Sequence, residues 1–397
     1  MLIFTYIGRL TLVAAFLLAF LVNVTAQTRF TSGQSAVRVP FELAGDLIVL
    51  KVRVNRSRPL HFIFDTGAGI SVIDPQSARA LGLRAKGKLK LDATGGSVQS
   101  GLIQSVSLSV PGVEVFNQAL ATVDLDSFAP LFGYKIDGII GHDFINNFVV
   151  EIDYASSLMN LYEPQEYKYR GAGESIPLEI HDKTPYVRAR VVLNGREPIE
   201  GKFEIDTGGT GILNLNTPFV NKHKMLETLT KQAESKLGGA GGAATAVKAH
   251  VPAIELGSFA IKNPLIVFAQ GTEGNENSTA FDGSLDNGLF SQFKMILDYS
   301  RSHVILERNN FARDLSGLEI VADPPHFKTF VVNAVEENSP AALAGIQEED
   351  TILAIDGQPT VRLTLQELRH LLTQPGEHVL KIRHNSKTIQ VRLRLVN

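Results

Sequence analysis

The chain has no cysteine in its 397 residues, which excludes disulfides, thiolate nucleophiles and cysteine-ligated metals together. Its ten histidines form no His-Glu-x-x-His or comparable spacing, so a zinc hydrolase is not indicated and no metal or other cofactor is expected. No Gly-x-Ser-x-Gly is present to build a serine nucleophile elbow. No Gly-Lys-Ser/Thr follows the glycine-rich stretches to hold a phosphate. Long runs of one charge are missing, and a net charge of −3 gives no reason to expect nucleic acid. What is present is a chain of 44% hydrophobic and 20% charged residues, able to bury real cores and long enough for two or three domains.

Residues 1–26 carry one positive charge, Arg9, then an apolar run from Leu10 to about Val22 and the small-residue pattern Val24-Thr25-Ala26. That order fits a secretory signal peptide cleaved after Ala26. The alternative is an uncleaved anchor, since the run is near the lower limit for a membrane span. Both readings place the mature chain outside the cytoplasm, periplasmic or extracellular, with membrane contact only in the uncleaved form.

The remainder repeats itself. VPFEL (39–43) returns as IPLEI (176–180), FIFDTGAG returns as FEIDTGGT, and DGIIGHDFINNFVVEIDY (137–154) returns without a gap as DGSLDNGLFSQFKMILDY (282–299). The offsets are 137 (177 − 40), 141 (206 − 65) and 145 (282 − 137). Three segments in one order, drifting by four residues at each step, describe two copies of one unit separated by small loop insertions. Each copy reads as all-β, with short apolar or alternating runs such as LIVLKVRV and YVRARVVL bounded by turn residues. Each also carries one Asp-Thr-Gly.

Two such copies packed around an approximate two-fold axis would bring Asp65 and Asp206 face to face. Close carboxyls share a proton and titrate as a pair. One can take a proton from water while the other donates to a carbonyl oxygen. Gly67 and Gly208 would permit the close approach, and the hydroxyls of Thr66 and Thr207 could hydrogen-bond across the interface. Glycine-rich stretches at similar places in both copies, ATGGSVQSG (93–101) and LGGAGGAAT (237–245), read as hairpin tips.

The pattern apolar-apolar-Asp-Thr-Gly-Ala, with the later apolar-apolar-Gly of Ile139-Ile140-Gly141, resembles the aspartic proteases. It is most similar to bacterial retropepsin-like members, over roughly Val39 to Glu307. The resemblance implies a doubled β-barrel lobe, a catalytic pair at Asp65 and Asp206, and an extended peptide or protein substrate between the lobes. It also implies a mobile hairpin over that substrate, with Gly95 and Gly96 as candidates and Gly238 to Gly242 as a second possibility. With both copies in one chain, a monomer suffices. The departures are Gly69 and Gly209, where a small polar residue is usual, and Ser284-Leu285-Asp286 in place of the second apolar-apolar-Gly. The glycines give up a possible hydrogen bond to the adjacent carboxylate, and Ser284-Leu285-Asp286 leads to the expectation of looser packing behind Asp206.

After Glu307 the composition changes, and NNFARDLSGLEIVADPP reads as a linker merging into a new unit. From about Gly317 the chain resembles a bacterial-type PDZ domain through FVVNAVEENSPAALAGIQEEDTILAIDGQPT and the helical stripe at 363, 365, 368, 371 and 372. The family implies a peptide ligand added as a strand beside a helix. The candidate groove lies between the Phe330 strand and the Leu365 to Leu372 helix, with Phe327, Thr329, Phe330 and Leu368 lining it and His326 to Thr329 as its carboxylate loop.

The expected architecture is therefore mainly β: a signal peptide (1–26), two duplicated retropepsin/pepsin-like β-barrel lobes (27–170 and 171–309), and a C-terminal PDZ-like α+β domain (317–397). The expected function is aspartic endopeptidase activity, with the C-terminal domain recruiting or gating substrate. The rival is an exported peptide-binding protein on an inactive protease fold.

Overall fold

The computed structural model describes residues 27–229, 231–309, 311 and 314–396 and is mainly β. The expected export segment lies outside the described residues. Two lobes of the same plan follow one another. The strand Leu47–Val54 buries its first four residues and then Val52 and Val54, exposing Lys51 and Arg53. Thr184–Val192 repeats this, exposing Arg188 and Arg190, as a two-residue side-chain period requires. In each lobe the aspartate-bearing strand runs parallel to the strand of the later motif. Leu60–Phe64 pairs with Gly138–Ile140, placing Ile63 opposite Ile139. Ile199–Asp206 pairs with Gly283–Asp286, placing Glu204 opposite Ser284.

The lobes join through six neighbouring strands in the order Glu174–Pro177, His303–Arg308, Phe293–Asp298, Val149–Asp153, Leu158–Tyr162 and Ser35–Ala44. The two central strands are antiparallel, and Glu151 faces Ile296. Ile296 is the repeat counterpart of Glu151, 145 residues later (296 − 151). A two-fold axis between the lobes must pair a residue with its own counterpart, and it passes through this pair. One apolar core then runs through both lobes, from Phe62 and Phe144 to Phe203 and Phe290.

The C-terminal domain has a separate core and a sheet in the order Leu318–Ala322, Phe330–Val335, Thr351–Ile355, Gly376–His384, Lys387–Leu395. Its helix Leu365–Leu372 begins with a reciprocal cap. Thr364 Oγ1 accepts from the Glu367 amide (3.2 Å), and Glu367 Oε2 accepts from the Thr364 amide (2.7 Å). Leu365, Leu368 and Leu372 face inward.

This arrangement corrects the expected peptide groove. The strand beside the helix is Leu318–Ala322, at the start of the domain where linker was expected to merge into it, and it forms the edge of the sheet. Phe330 lies between two partners, opposite Ala322 and Ile352, and is fully buried, as is Leu368. Phe327 packs on the core and Thr329 is exposed in the turn before the strand. Two apolar runs, LEIVA and FVVNAV, compete for the edge position, and only the pairing order decides between them. Phe330→Ala should therefore destabilise the C-terminal domain by about 3–5 kcal/mol, as a core truncation does. Amide exchange in Gly376–His384 reads this directly, and unchanged protection would return Phe330 to the groove.

Candidate active site

The turns after Phe64 and Ile205 meet at the two-fold axis. Thr66 Oγ1 donates to the Ile205 carbonyl (2.5 Å) and accepts from the Thr207 amide (3.0 Å). Thr207 Oγ1 donates to the Phe64 carbonyl (3.0 Å) and accepts from the Thr66 amide (3.0 Å). Both threonines are fully buried. This interlock holds the two carboxyls together. Asp65 Oδ1 accepts from the amides of Gly67 (2.7 Å) and Ala68 (3.1 Å), and Asp206 Oδ1 accepts from that of Gly208 (2.8 Å). A Cβ on Gly208 would lie 2.3 Å from Asp65 Cγ, and one on Gly67 would lie 3.1 Å from Asp206 Oδ1. The motif glycines are the space the opposite carboxyls occupy.

Burial pushes Asp65 well above the ordinary carboxylate range, and the charge of Asp206 adds to the effect. Burial raises Asp206 as well, but the amides of Gly208 and Gly209 and a hydrogen bond with Asp65 favour its charged form. The two carboxyls therefore share one proton and titrate as a pair.

Two further acids share this pocket. Asp286 accepts from Ser284 Oγ (2.7 Å) and from Asn214 Nδ2. It stands beside Gly209, where a Cβ would come within 2.6 Å of its Cγ. The looser packing expected behind Asp206 is not found: Asp286 is fully buried and fills the volume that a side chain at 209 would have taken. The departures at 209 and 286 are two halves of one replacement. Glu204 lies two residues before Asp206 on the same strand face. Burial raises both Glu204 and Asp286 well above the usual range, with the Asp206 charge next in importance for each. A charged residue where the first copy has the buried Ile63 was the sequence signal for Glu204.

Both glycine-rich stretches are hairpin tips. Lys86–Ala93 turns into Gly96–Val110, and Ala233–Gly239 turns into Gly242–His250. The tips touch: the Gly241 amide donates to the Thr94 carbonyl at 2.9 Å. A Cβ on Gly95, whose φ is +83°, would fall 2.4 Å from the Gly242 carbonyl carbon. The Gly95 amide also donates to Glu276 Oε1 (3.0 Å), a buried carboxylate of the second lobe. Beneath the joined tips runs a cavity of about 3240 Å³, lined by Asp65 and Asp206 and reaching Glu319 and Arg369 of the C-terminal domain.

The C-terminal domain docks on the first lobe with its edge strand covered. The short helix Ala129–Phe132 packs against Leu318–Ala322, and Leu365 lies 3.1 Å from the Cβ position of Gly133. Arg369 reaches from its helix to the Ile320 carbonyl (2.8 Å). Asp314 beside it is pushed up to about 6 by burial. His250, at the end of the second hairpin, stands 3.8 Å from Glu336. A separate acidic group, Asp74, Asp124 and Asp126, has its acceptors engaged. Asp74 caps the helix Pro75–Ala80, and Lys135 Nζ lies 2.7 Å from Asp74 and 3.3 Å from Asp126.

Residues 50–144 match the aspartyl protease family and residues 331–383 match the PDZ domain. Comparison with curated proteins gives no match. The chain thus contains an aspartyl protease domain, in its first lobe, and a PDZ domain. The second lobe joins the first through the internal repeat and the shared geometry.

Acids whose folded pKa is raised stabilise fully below the ordinary carboxylate range, and that contribution is lost as the pH rises through the folded values. Glu204→Gln, which cannot ionise, should therefore melt several degrees above the parent at pH 8, with the gap closing toward pH 4. A pH-independent gap would contradict the buried-acid account.

Proposed function

From an aspartyl protease domain and a PDZ domain in one chain, we propose an exported aspartic endopeptidase whose catalytic pair is Asp65 and Asp206. The reading is carried by one observation: two buried carboxyls held face to face by reciprocal threonine hydrogen bonds, each above the opposite motif glycine. In the first step, Asp206 takes a proton from a water lying between the carboxyls, and that oxygen bonds to the scissile carbonyl carbon. Asp65 gives its proton to the carbonyl oxygen, and a tetrahedral diol results. Collapse returns a hydroxyl proton to Asp65 while Asp206 protonates the departing amine, and the C–N bond breaks. The pair ends as it began.

The test is cleavage of a mixed peptide library by the mature chain. Asp65→Asn and Asp206→Asn should each lower kcat by about 10²–10⁴-fold with folding intact. The rate should fall as the pH rises through the raised pKa of Asp65, so activity persists above the ordinary carboxylate range before it is lost. Cleavage that survives both substitutions sinks the mechanism, and peptide binding without cleavage assigns the chain to the binding-protein reading.

We infer gating, rather than simple recruitment, for the PDZ domain, because its peptide-accepting edge is covered by Ala129–Phe132 and bridged by Arg369. Arg369→Ala should raise peptide cleavage severalfold without added ligand and speed amide exchange at the hairpin tips. Unchanged rates of both would leave the domain without a gating role.

A further inference from the structure

Four strand positions surround each aspartate turn. In the first lobe they are Val49, Ile63, Val72 and Ile139, brought to one face by the register of their strands. Their repeat counterparts are Tyr186, Glu204, Asn214 and Ser284, paired in the same way. The last three of each set line the cleft. One side of the cleft is therefore apolar at every position where the other is polar.

Among the polar set Glu204 stands alone. Only 7% of it is exposed, and its Oε1 lies 2.8 Å from the Cβ position of Gly67, beside the catalytic pair. Asn214 and Ser284, its polar neighbours, both bond to Asp286 instead. Lys202, on the same strand face two residues earlier, is held over the Tyr186 ring, 4.9 Å from its centroid. Among the described residues no hydrogen bond or ion pair is made to the Glu204 carboxyl. An unpartnered buried carboxyl is costly, and a cation entering along the cleft would supply what the protein withholds. The charge of Asp206 beside it adds to the attraction.

We propose that Glu204 selects a lysine or arginine side chain next to the scissile bond, while Ile63 and Ile139 take an apolar side chain on the bond's other side. The two-fold axis passes between the aspartates, so equivalent positions in the two lobes flank the bond. The substrate class is thus a peptide with an apolar and a basic residue astride the cleavage point. Its cleavage point rests on the peptidase reading above, but its binding does not.

The closing experiment separates the two. Full-length Asp65→Asn protein is titrated with labelled octapeptides that differ only by lysine or norleucine at each position in turn. Lysine should bind at least tenfold more tightly than norleucine at one position. That preference should vanish in Glu204→Ile, which restores the residue of the first lobe, and in the isosteric Glu204→Gln. Equal binding at every position, or a preference that survives both substitutions, overturns the inference. Cleavage by the chain with both aspartates is scored separately. Cleavage without basic preference removes this inference alone, whereas basic-selective binding without cleavage removes only the peptidase reading.

Discussion

The reciprocal hydrogen bonds of Thr66 and Thr207 are the constraint on which the site depends. Each hydroxyl donates to a carbonyl of the other lobe and accepts an amide from it. Only a two-fold relation lets both do so at once. The buried groups left unpaired by losing one hydroxyl would cost about 1–3 kcal/mol each, so neither lobe can shift alone. In the sheet that joins the lobes the Glu151–Ile296 register imposes the same axis through backbone pairing. Two points fix a line, and the turns that carry Asp65 and Asp206 are held in register across it.

The axis governs the backbone but not the chemistry around it. Where the first lobe places Ala68 and Ile70 backbone against Gly141, the second places a carboxyl, Asp286, against a bare Gly209. Where the first lobe lines its cleft wall with Ile63, the second uses Glu204. Burial first, and then the charge of Asp206, raise Asp65, Glu204 and Asp286, and the cost is lowest when protons remain. The same crowding that makes the pocket unstable at high pH keeps a proton available to the pair. Duplication supplied two equal halves, and the halves then took different side chains while the threonine interlock stayed the same.

That history explains what could be read from the residues alone. Asp65, Asp206, the two threonines and the two glycines were legible because the axis demands the same residue at both places, and repetition is visible in a single sequence. The hairpin tips were legible for a related reason, since tight turns that touch backbone to backbone require glycine in both copies. Glu204 escaped notice because a lone glutamate in FEIDTG reads as an outward strand position. Asp286 was noticed only as a flaw, because its partner is an absence, the missing side chain of Gly209. The edge strand Leu318–Ala322 is hard to tell from the linker that merges into it, being five residues long and followed by Asp323-Pro324-Pro325. Arg369 lies off the apolar stripe of its helix, and nothing local marks a residue whose partner is a carbonyl 49 positions away.

The C-terminal domain is positioned to matter to the cleft through competition rather than reach. A peptide added as a strand needs the free amides and carbonyls of the Leu318–Ala322 edge. Ala129–Phe132 packs on that edge from the first lobe, and Arg369 of the same domain holds its Ile320 carbonyl. In the gating proposed above, peptide addition would compete with this docking, and a ligand would shift the balance by as much as its differential affinity allows. The undocked arrangement also gives up the approach of Glu336 to His250, on the strand that carries the second hairpin toward its tip. The tips are joined by the Gly241 to Thr94 hydrogen bond and by close backbone packing of Gly95 and Gly96 against Gly241 and Gly242, and Gly95 bonds Glu276 beside them. Backbone packing between glycines, together with these two hydrogen bonds, is what a shift of the neighbouring domain would have to open.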